Sequence, residues 1–446
     1  MNSEQKIAIM KDLISKKVQQ MQPSGIRAFF DLVLGMKDVI SLGVGEPDFV
    51  TPWQIREAGI YSLEEGFTTY TSNKGLYKLR LSVSRYLKNR YNLDYCPDEE
   101  ILITVGVSEG FDLALRAIIN PGDKILIPSP SYVSYGPLTE LAGGIPVYID
   151  TKENGFKLTP KILEKSIDKK AKAMILNYPA NPTGVSYTKK ELTDINRVLL
   201  KHKILCISDE IYGDLTYDFE HTPFATLPGA KNNTIYLNGF SKSYAMTGWR
   251  VGFVCGPKEI IAAMTKIHQY TIMCVPITSQ MAACEALQTG RKSVEEMKRE
   301  YRRRREFIVD KLNDLGLECR KPEGAFYAFV SIKKTGLNCL DFAQKLLKEQ
   351  KVAVVPGTAF GASTSLCFDR LSIRPERVKS FDCAQDGSRD GEQVEPRAEG
   401  LSTNGERSRT IGKEFDNYVR ISYAASFDNI KEALVRIENF LKDTRR

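Results

Sequence analysis

Four short apolar runs constrain this chain most: residues 101–105, 173–176, 204–207 and 234–237. None alternates apolar with polar residues as a half-exposed strand does. Each reads as a strand buried on both faces, the pattern of a parallel sheet covered by helices. In open sheets of this kind ligands gather just beyond the carboxyl ends of the strands. The chemistry of the chain should therefore lie in the residues that follow these runs.

After the last run comes Ser241-Lys242-Ser243-Tyr244-Ala245-Met246-Thr247-Gly248-Trp249-Arg250. A lysine amine forms a Schiff base with an aldehyde, and an arginine fork clamps a phosphate. Pyridoxal phosphate carries both groups. Taken alone, Lys242 is also what a solvated helix start looks like. Upstream, residues 204–207 run into Ser208-Asp209-Glu210-Ile211-Tyr212. An acid at that strand end can pair with a pyridinium nitrogen and keep the ring an electron sink. Tyr212 can donate to the ring's phenolic oxygen. Asp209 alone reads equally as a helix N-cap.

The run 173–176 enters Asn177-Tyr178-Pro179-Ala180-Asn181-Pro182-Thr183-Gly184. Two prolines stiffen this loop and hold the residues before them extended. The Asn181 amide can thus meet a ligand oxygen with little entropy to lose, although an ordinary turn uses the same residue types. The run 101–105 leads through Gly106-Val107-Ser108-Glu109-Gly110 into a helix, whose first N–H groups can face an anion.

Together these pieces resemble the class I/II aminotransferases, fold type I pyridoxal-phosphate enzymes. The likeness is closest to the branch of archaeal and bacterial aromatic and aspartate aminotransferases. Its N-terminal motifs match Ser41-Leu42-Gly43-Val44-Gly45-Glu46-Pro47-Asp48-Phe49 and Tyr70-Thr71-Ser72-Asn73-Lys74-Gly75. Its C-terminal motifs match Glu323-Gly324-Ala325-Phe326-Tyr327, Val355-Pro356-Gly357 and Tyr418-Val419-Arg420-Ile421-Ser422-Tyr423-Ala424. Several motifs in the right order are far more specific than any one.

The resemblance implies a role at each matching position. Lys242 is the Schiff-base lysine and the proton shuttle. Asp209 binds the ring nitrogen, and Asn181 and Tyr212 hydrogen-bond the phenolic oxygen. Arg250, Ser108 and the Val107 amide hold the phosphate, and Tyr132 stacks on the ring. Tyr70 reaches the phosphate of a neighbouring subunit, so a homodimer with shared active sites is implied. Arg420 pairs with the substrate α-carboxylate, aided by the Gly43 amide, while Asn181 also faces substrate. Gly239 stands where some relatives have a phosphate-binding serine, so that contact is expected to be missing.

Composition sets limits. A chain of 446 residues with 42% hydrophobic and 26% charged residues is that of a soluble globular protein with room for one large core and a smaller one. The net charge of +8 is spread along the sequence. Its densest run, Arg302-Arg303-Arg304-Arg305, is expected to be a solvated helix face, so no nucleic-acid partner is expected. Nine cysteines without metal-ligand or redox spacing read as reduced thiols of a cytoplasmic protein. The three histidines, His202, His221 and His268, form no cluster, and no metal is expected. No apolar stretch nears the roughly 20 residues of a membrane span, and no signal peptide is visible.

The fold class expected is α/β: a large domain with a mixed, mostly parallel sheet flanked by helices, and a smaller α+β C-terminal domain. The expected division is an N-terminal arm packing with the small domain (1–48), a cofactor-binding domain (49–290) and the small domain (291–446). Strands are expected at 325–330, 352–355 and 418–423, a linking helix at about 293–316 and a final amphipathic helix at 430–441. Residues 362–416 depart from the family. About 50 extra residues intervene there, rich in Arg, Glu, Asp, Ser and Gly, with no periodic pattern. Arg374-Pro375-Glu376-Arg377-Val378 is nearly mirrored by Val394-Glu395-Pro396-Arg397, as an inserted inverted repeat would be. A disordered insertion is expected, with a regulatory loop or partner-binding element as the alternative.

The implied function is transfer of an amino group from an L-amino acid to a 2-oxo acid by a ping-pong mechanism. Aromatic amino acids or aspartate are the favoured donors and 2-oxoglutarate the acceptor. A carbon–sulfur β-lyase, or a remnant inactivated by the insertion, are the alternatives. Arg27 is a candidate for meeting an acidic side chain, with a surface ion pair equally consistent.

Overall fold

The computed structural model describes residues 12–21, 36–361 and 415–444. Arg27 and residues 362–414 of the expected insertion lie outside them. The chain enters through β1 (Ile40–Ser41) and then builds seven strands. These are β2 (Ile101–Thr104), β3 (Lys124–Ser129), β4 (Ile145–Asp150), β5 (Ala171–Asn177), β6 (Leu205–Asp209), β7 (Thr234–Gly239) and β8 (Gly252–Cys255). They form one sheet in the order β2-β8-β7-β6-β5-β3-β4. Only β8 runs against its neighbours.

The unbroken apolar runs have a direct cause. Successive side chains of a strand point to opposite faces, and here both faces are covered. Ile207 and Ile175 pack with Phe111 of the Gly106–Ile118 helix and Met264 of the Lys258–Thr271 helix. Cys206 and Met174, one residue away, pack with Leu192 and Leu199 of the Lys189–His202 helix on the other face. That helix opens on a Thr188–Glu191 capping box and stops at Lys203, whose backbone turns left-handed at φ 56°.

The 24-residue helix Arg291–Asp314 leads to a second, antiparallel sheet. Its strands are β9 (Glu318–Cys319), β10 (Tyr327–Ser331), β12 (Val355–Pro356) and β13 (Tyr418–Ser422), while β11 (Val352–Ala353) precedes β12 in the chain. The order is β12-β13-β10-β9. The Cys339–Gln350 and Phe427–Thr444 helices share its core, Phe342 meeting Phe440 edge-on at 5.3 Å. Gly290 lies between the helices Ile277–Thr289 and Arg291–Asp314.

Two expectations need correction. The single strand at 352–355 is two: β11 pairs in parallel with β1, and β12 pairs with β13. The arginine run is not a uniformly solvated face. Arg302 and Arg303 are exposed, but Arg304 is 5% exposed and Arg305 fully buried. Arg305 bonds both carboxylate oxygens of Asp218 and the Pro322 carbonyl. Both buried arginines fall on the same helical stripe as Met297, Tyr301 and Ile308, which the 3.6-residue period carries into the core. Among the described residues no helix is long and apolar enough to cross a membrane, and no group of His, Cys, Asp and Glu is placed to hold a metal.

Candidate active site

The carboxyl ends of β5, β6 and β7 lie side by side, which places Asn177, Asp209 and Gly239 along one edge of the large sheet. Because β8 is antiparallel, its amino end reaches the same edge and brings Arg250 there.

Asp209, the last residue of β6, is 6% exposed. The Tyr135 hydroxyl donates to its Oδ2 at 2.6 Å and the Ile211 amide to its Oδ1 at 3.3 Å. No α-helix starts there, so Asp209 is not an α-helix cap. Burial pushes its carboxyl from 3.8 up to about 6, against the pull of those two hydrogen bonds. Asn177 donates its Nδ2 to the Asp209 carbonyl at 3.0 Å, and its Oδ1 accepts from the Asn181 amide at 2.9 Å. One side chain thus ties the proline-rich loop to the strand end.

Asn181 passes the connection to the small sheet. Its Oδ1 accepts from Nη1 of Arg420 at 2.9 Å, and Nη2 of Arg420 donates to the Gly43 carbonyl at 2.6 Å. Arg420 is 2% exposed, with the Tyr327 and Phe360 rings at 4.5 and 5.0 Å from its guanidinium carbon. Its Nε is buried without a partner. A buried charged donor left unsatisfied is costly, and an anion would relieve it.

Lys242 follows β7 in a series of turns, not at a helix start. Its Nζ donates to the Gly45 carbonyl at 2.6 Å. Burial brings the amine from 10.5 down to about 8, opposed by the Glu46 carboxylate and reinforced by Arg420 and Arg250. The neutral amine, the form that attacks an aldehyde and accepts a proton, is therefore far more populated near neutral pH than for an ordinary lysine, about a tenth of the population at pH 7.

Close backbone approach builds the anion end. Gly106 has φ +70°, and a Cβ there would meet the Arg250 guanidinium at 2.8 Å. A Cβ on Gly252 would come 2.8 Å from the Val107 amide nitrogen. Only glycine at both positions lets Arg250 lie against the first turn of the Gly106–Ile118 helix, beside Val107 and Ser108.

A cavity of about 710 Å³ joins these groups. It touches Val107, Ser108 and Arg250, and also Tyr132, Asn181 and Asp209. Tyr212, Lys242 and Arg420 share it. Gly43 does not line it, but its carbonyl accepts from Arg420. Tyr70 does not line this chain's cavity; it is 80% exposed. A Cβ on Gly239 would meet the Gly252 Cα at 3.0 Å, so little room exists there for a serine.

Sequence reasoning missed Tyr135, Asn177 and Gly45 as site residues, and gave Tyr327 no role. The Tyr327 hydroxyl lies 2.8 Å from that of Tyr212. Tyr135 had a usable signal: it follows Tyr132 by three residues, the spacing of one turn.

The donor set fits pyridoxal phosphate: a carboxylate for a ring nitrogen, an amine for an aldehyde, and a guanidinium with a helix start for a phosphate. The fit has a testable consequence for the apoenzyme. A carboxyl raised from 3.8 to about 6 adds stability below pH 3.8, and that contribution is lost as pH rises through 6. Asp209→Asn is expected to raise apoenzyme stability by up to about 3 kcal/mol at pH 8 and to change it little at pH 4. Denaturant melts of both proteins at the two pH values check this, and an equal effect at both would refute the buried-charge account.

The family described as Aminotransferase class I and II matches residues 37–376. A Bacillus subtilis relative whose name gives aminotransferase without a substrate is 47% identical over 98% of this chain and 100% of its own. An aspartate aminotransferase of Pyrococcus abyssi is 40% identical over 97% of this chain and 99% of its own. The crystal structure of an aromatic aminotransferase from Pyrococcus horikoshii superposes with a TM-score of 0.78 at 38% identity, covering 94% of this chain and 99% of that one.

Proposed function

Since the chain belongs to the class I and II aminotransferases, which depend on pyridoxal phosphate, we propose that it moves the amino group of an aromatic L-amino acid or aspartate to a 2-oxo acid such as 2-oxoglutarate. The observation that carries the reading is Arg420. Arg420 lines the same cavity as Lys242, and its Nε is buried without a partner. A carboxylate on the arginine would bring the α-carbon of an amino acid within the lysine's reach.

Bound pyridoxal phosphate supplies an aldehyde for the amine and a ring that withdraws electrons from the α-carbon. The residues of the chain do the rest. Arg250, Ser108 and the Val107 amide would hold the phosphate. Asp209 would keep a negative charge opposite the ring nitrogen, with Tyr135 fixing one of its oxygens. Tyr212 and Asn181 would donate to the phenolic oxygen, and Tyr132 would stack on the ring. Lys242 Nζ would take the proton from the α-carbon and return it two bonds away, beyond the amino nitrogen, which its lowered basicity favours.

The substrate proposal draws support from the aspartate and aromatic relatives and from the tyrosines of the cavity. Initial rates with a panel of amino donors against 2-oxoglutarate test it. Aspartate or an aromatic amino acid should give the highest kcat/KM, and a panel led by another class would overturn it. Transfer is told from β-elimination by adding an amino acid alone. A transferase releases about one 2-oxo acid per subunit and stops, whereas a lyase keeps producing pyruvate and ammonia.

We further propose a cytoplasmic homodimer in which Tyr70 completes the partner's site. The free thiols of the described cysteines support the compartment. Exposed large apolar side chains support the assembly: Trp53, Tyr61 and Leu63 on the Trp53–Glu64 helix, then Tyr70, Tyr270 and Met273. The Asn73 side chain joins the last two segments by donating to the Met273 carbonyl at 2.8 Å. Exposed apolar side chains in such number are what an interface between copies would cover. Light scattering at micromolar concentration should return twice the chain mass, and a fully active monomer would rule the arrangement out.

A further inference from the structure

The segment 43–49 crosses the cavity as a strap between the two sheets. At one end Leu42 is held in backbone bonds, its amide to Ala353 and its carbonyl to Ser422. At the other, the Thr51 hydroxyl donates to the Ala245 carbonyl at 2.6 Å and accepts from the Trp249 indole at 3.1 Å. Between them the strap spends its carbonyls on the site. Gly43 accepts from Arg420, and Gly45 accepts from Lys242 and, at 3.3 Å, from Tyr327. Among the described residues no backbone–backbone hydrogen bond holds residues 43–50. Side-chain anchors must therefore set its position.

Two such anchors exist. Glu46 accepts from the Thr247 hydroxyl at 3.2 Å in an exposed contact. Asp48 makes the other, its side chain 23% exposed but its arginine partner buried. Nη1 of Arg304 donates to both of its oxygens at 2.8 and 2.9 Å, while Nε of Arg304 bonds Glu300 at 3.0 Å. The Phe49 ring lies 5.2 Å from the same guanidinium and edge-on to Tyr301 at 5.3 Å. Arg304 belongs to the long helix between the sheets and does not touch the cavity.

We propose that Asp48 and Arg304 are positioning residues of this active site. Their ion pair holds the strap at the depth where its carbonyls orient the Arg420 fork and the Lys242 amine. The inference rests on the roles assigned to those two residues. Its mechanism is geometric: a fork or amine displaced by a fraction of an ångström meets its target poorly, and misplacement of about 1 Å costs about 10²-fold.

The test uses the holoenzyme with Asp48→Asn, Arg304→Met and the double variant. Removing both charges spares the fold the unpaired ion that each single change leaves. Measurements are KM and kcat for the best donor, the dissociation constant of the unreactive carboxylate 3-phenylpropanoate, and the melting temperature. The double variant should raise KM and the dissociation constant about tenfold, with its effect below the product of the two single effects. Arg304→Lys, which keeps the charge and loses the fork geometry, should fall in between and serves if the methionine variants do not fold. A lowered melting temperature with KM and dissociation constant within about twofold of wild type would make the pair merely structural and overturn the proposal. Arg420→Met separates the premise from the inference. If it leaves 3-phenylpropanoate binding unchanged, the carboxylate site lies elsewhere and the proposal falls with that assignment.

Discussion

Lys242→Ala is expected to lower transamination at least about 10³-fold and to remove the visible absorbance that a lysine-linked cofactor gives. The amine is the only lysine nitrogen lining the cavity among the described residues. Its hydrogen bond to Gly45 and its basicity of about 8 mark it as held and poised. Binding of the cofactor should persist in part, because Arg250, Ser108 and Asp209 are untouched. Adding a small primary amine should restore a fraction of the rate, since a free base can enter the space the side chain leaves. Steady-state assays and absorbance spectra decide the matter, and turnover at a tenth of wild type or more would end the assignment.

Asp209→Asn is the second large effect. The amide keeps the volume and can still accept from Tyr135, but it carries no charge to hold a ring nitrogen protonated. Turnover should fall about 10²-fold or more, on the scale of a buried charge pair lost. Asp209→Glu should do less harm, because it keeps the charge and shifts only its position. Tyr135→Phe is a finer probe of the same point: it deletes the 2.6 Å hydrogen bond and leaves the carboxylate. It should cost about tenfold in rate. Equal turnover of the Asn variant and wild type would reduce Asp209 to a structural residue.

Lys242, Asp209, Asn181 and Arg250 were legible because each follows a strand within a few residues or, for Arg250, directly precedes one. An apolar run of four or five residues announces a buried strand, and the topology of a parallel sheet carries its carboxyl end to a common edge. The resemblance to known enzymes then attached roles to those positions, Arg420 among them. The placing of a strand between two covered faces leaves its mark within a window of a few residues, so the large sheet is readable from the sequence alone.

The misreading of the arginine run has an equally physical cause. Four adjacent charges look solvated when taken as composition. Helical spacing from Met297 and Tyr301 carries Arg304 and Arg305 inward, but an inward arginine is plausible only once a carboxylate is known to wait there. Asp48 and Asp218 do so from positions far away in the chain. The split of residues 352–355 between two sheets had no sequence signal either, because β1 and β13 as neighbours exist only after the chain folds back.

What the sequence by itself determined were the buried strands, the loops that follow them and the residue types those loops present. Local patterning suffices for these, since strand period, turn chemistry and side-chain reactivity depend on near neighbours. Only the tertiary structure decided which groups meet across long separations: Tyr135 on Asp209, Arg420 on Asn181 and Gly43, and Arg304 on Asp48. These contacts depend on how the two sheets and the strap between them pack, a property of the whole chain that no short window contains.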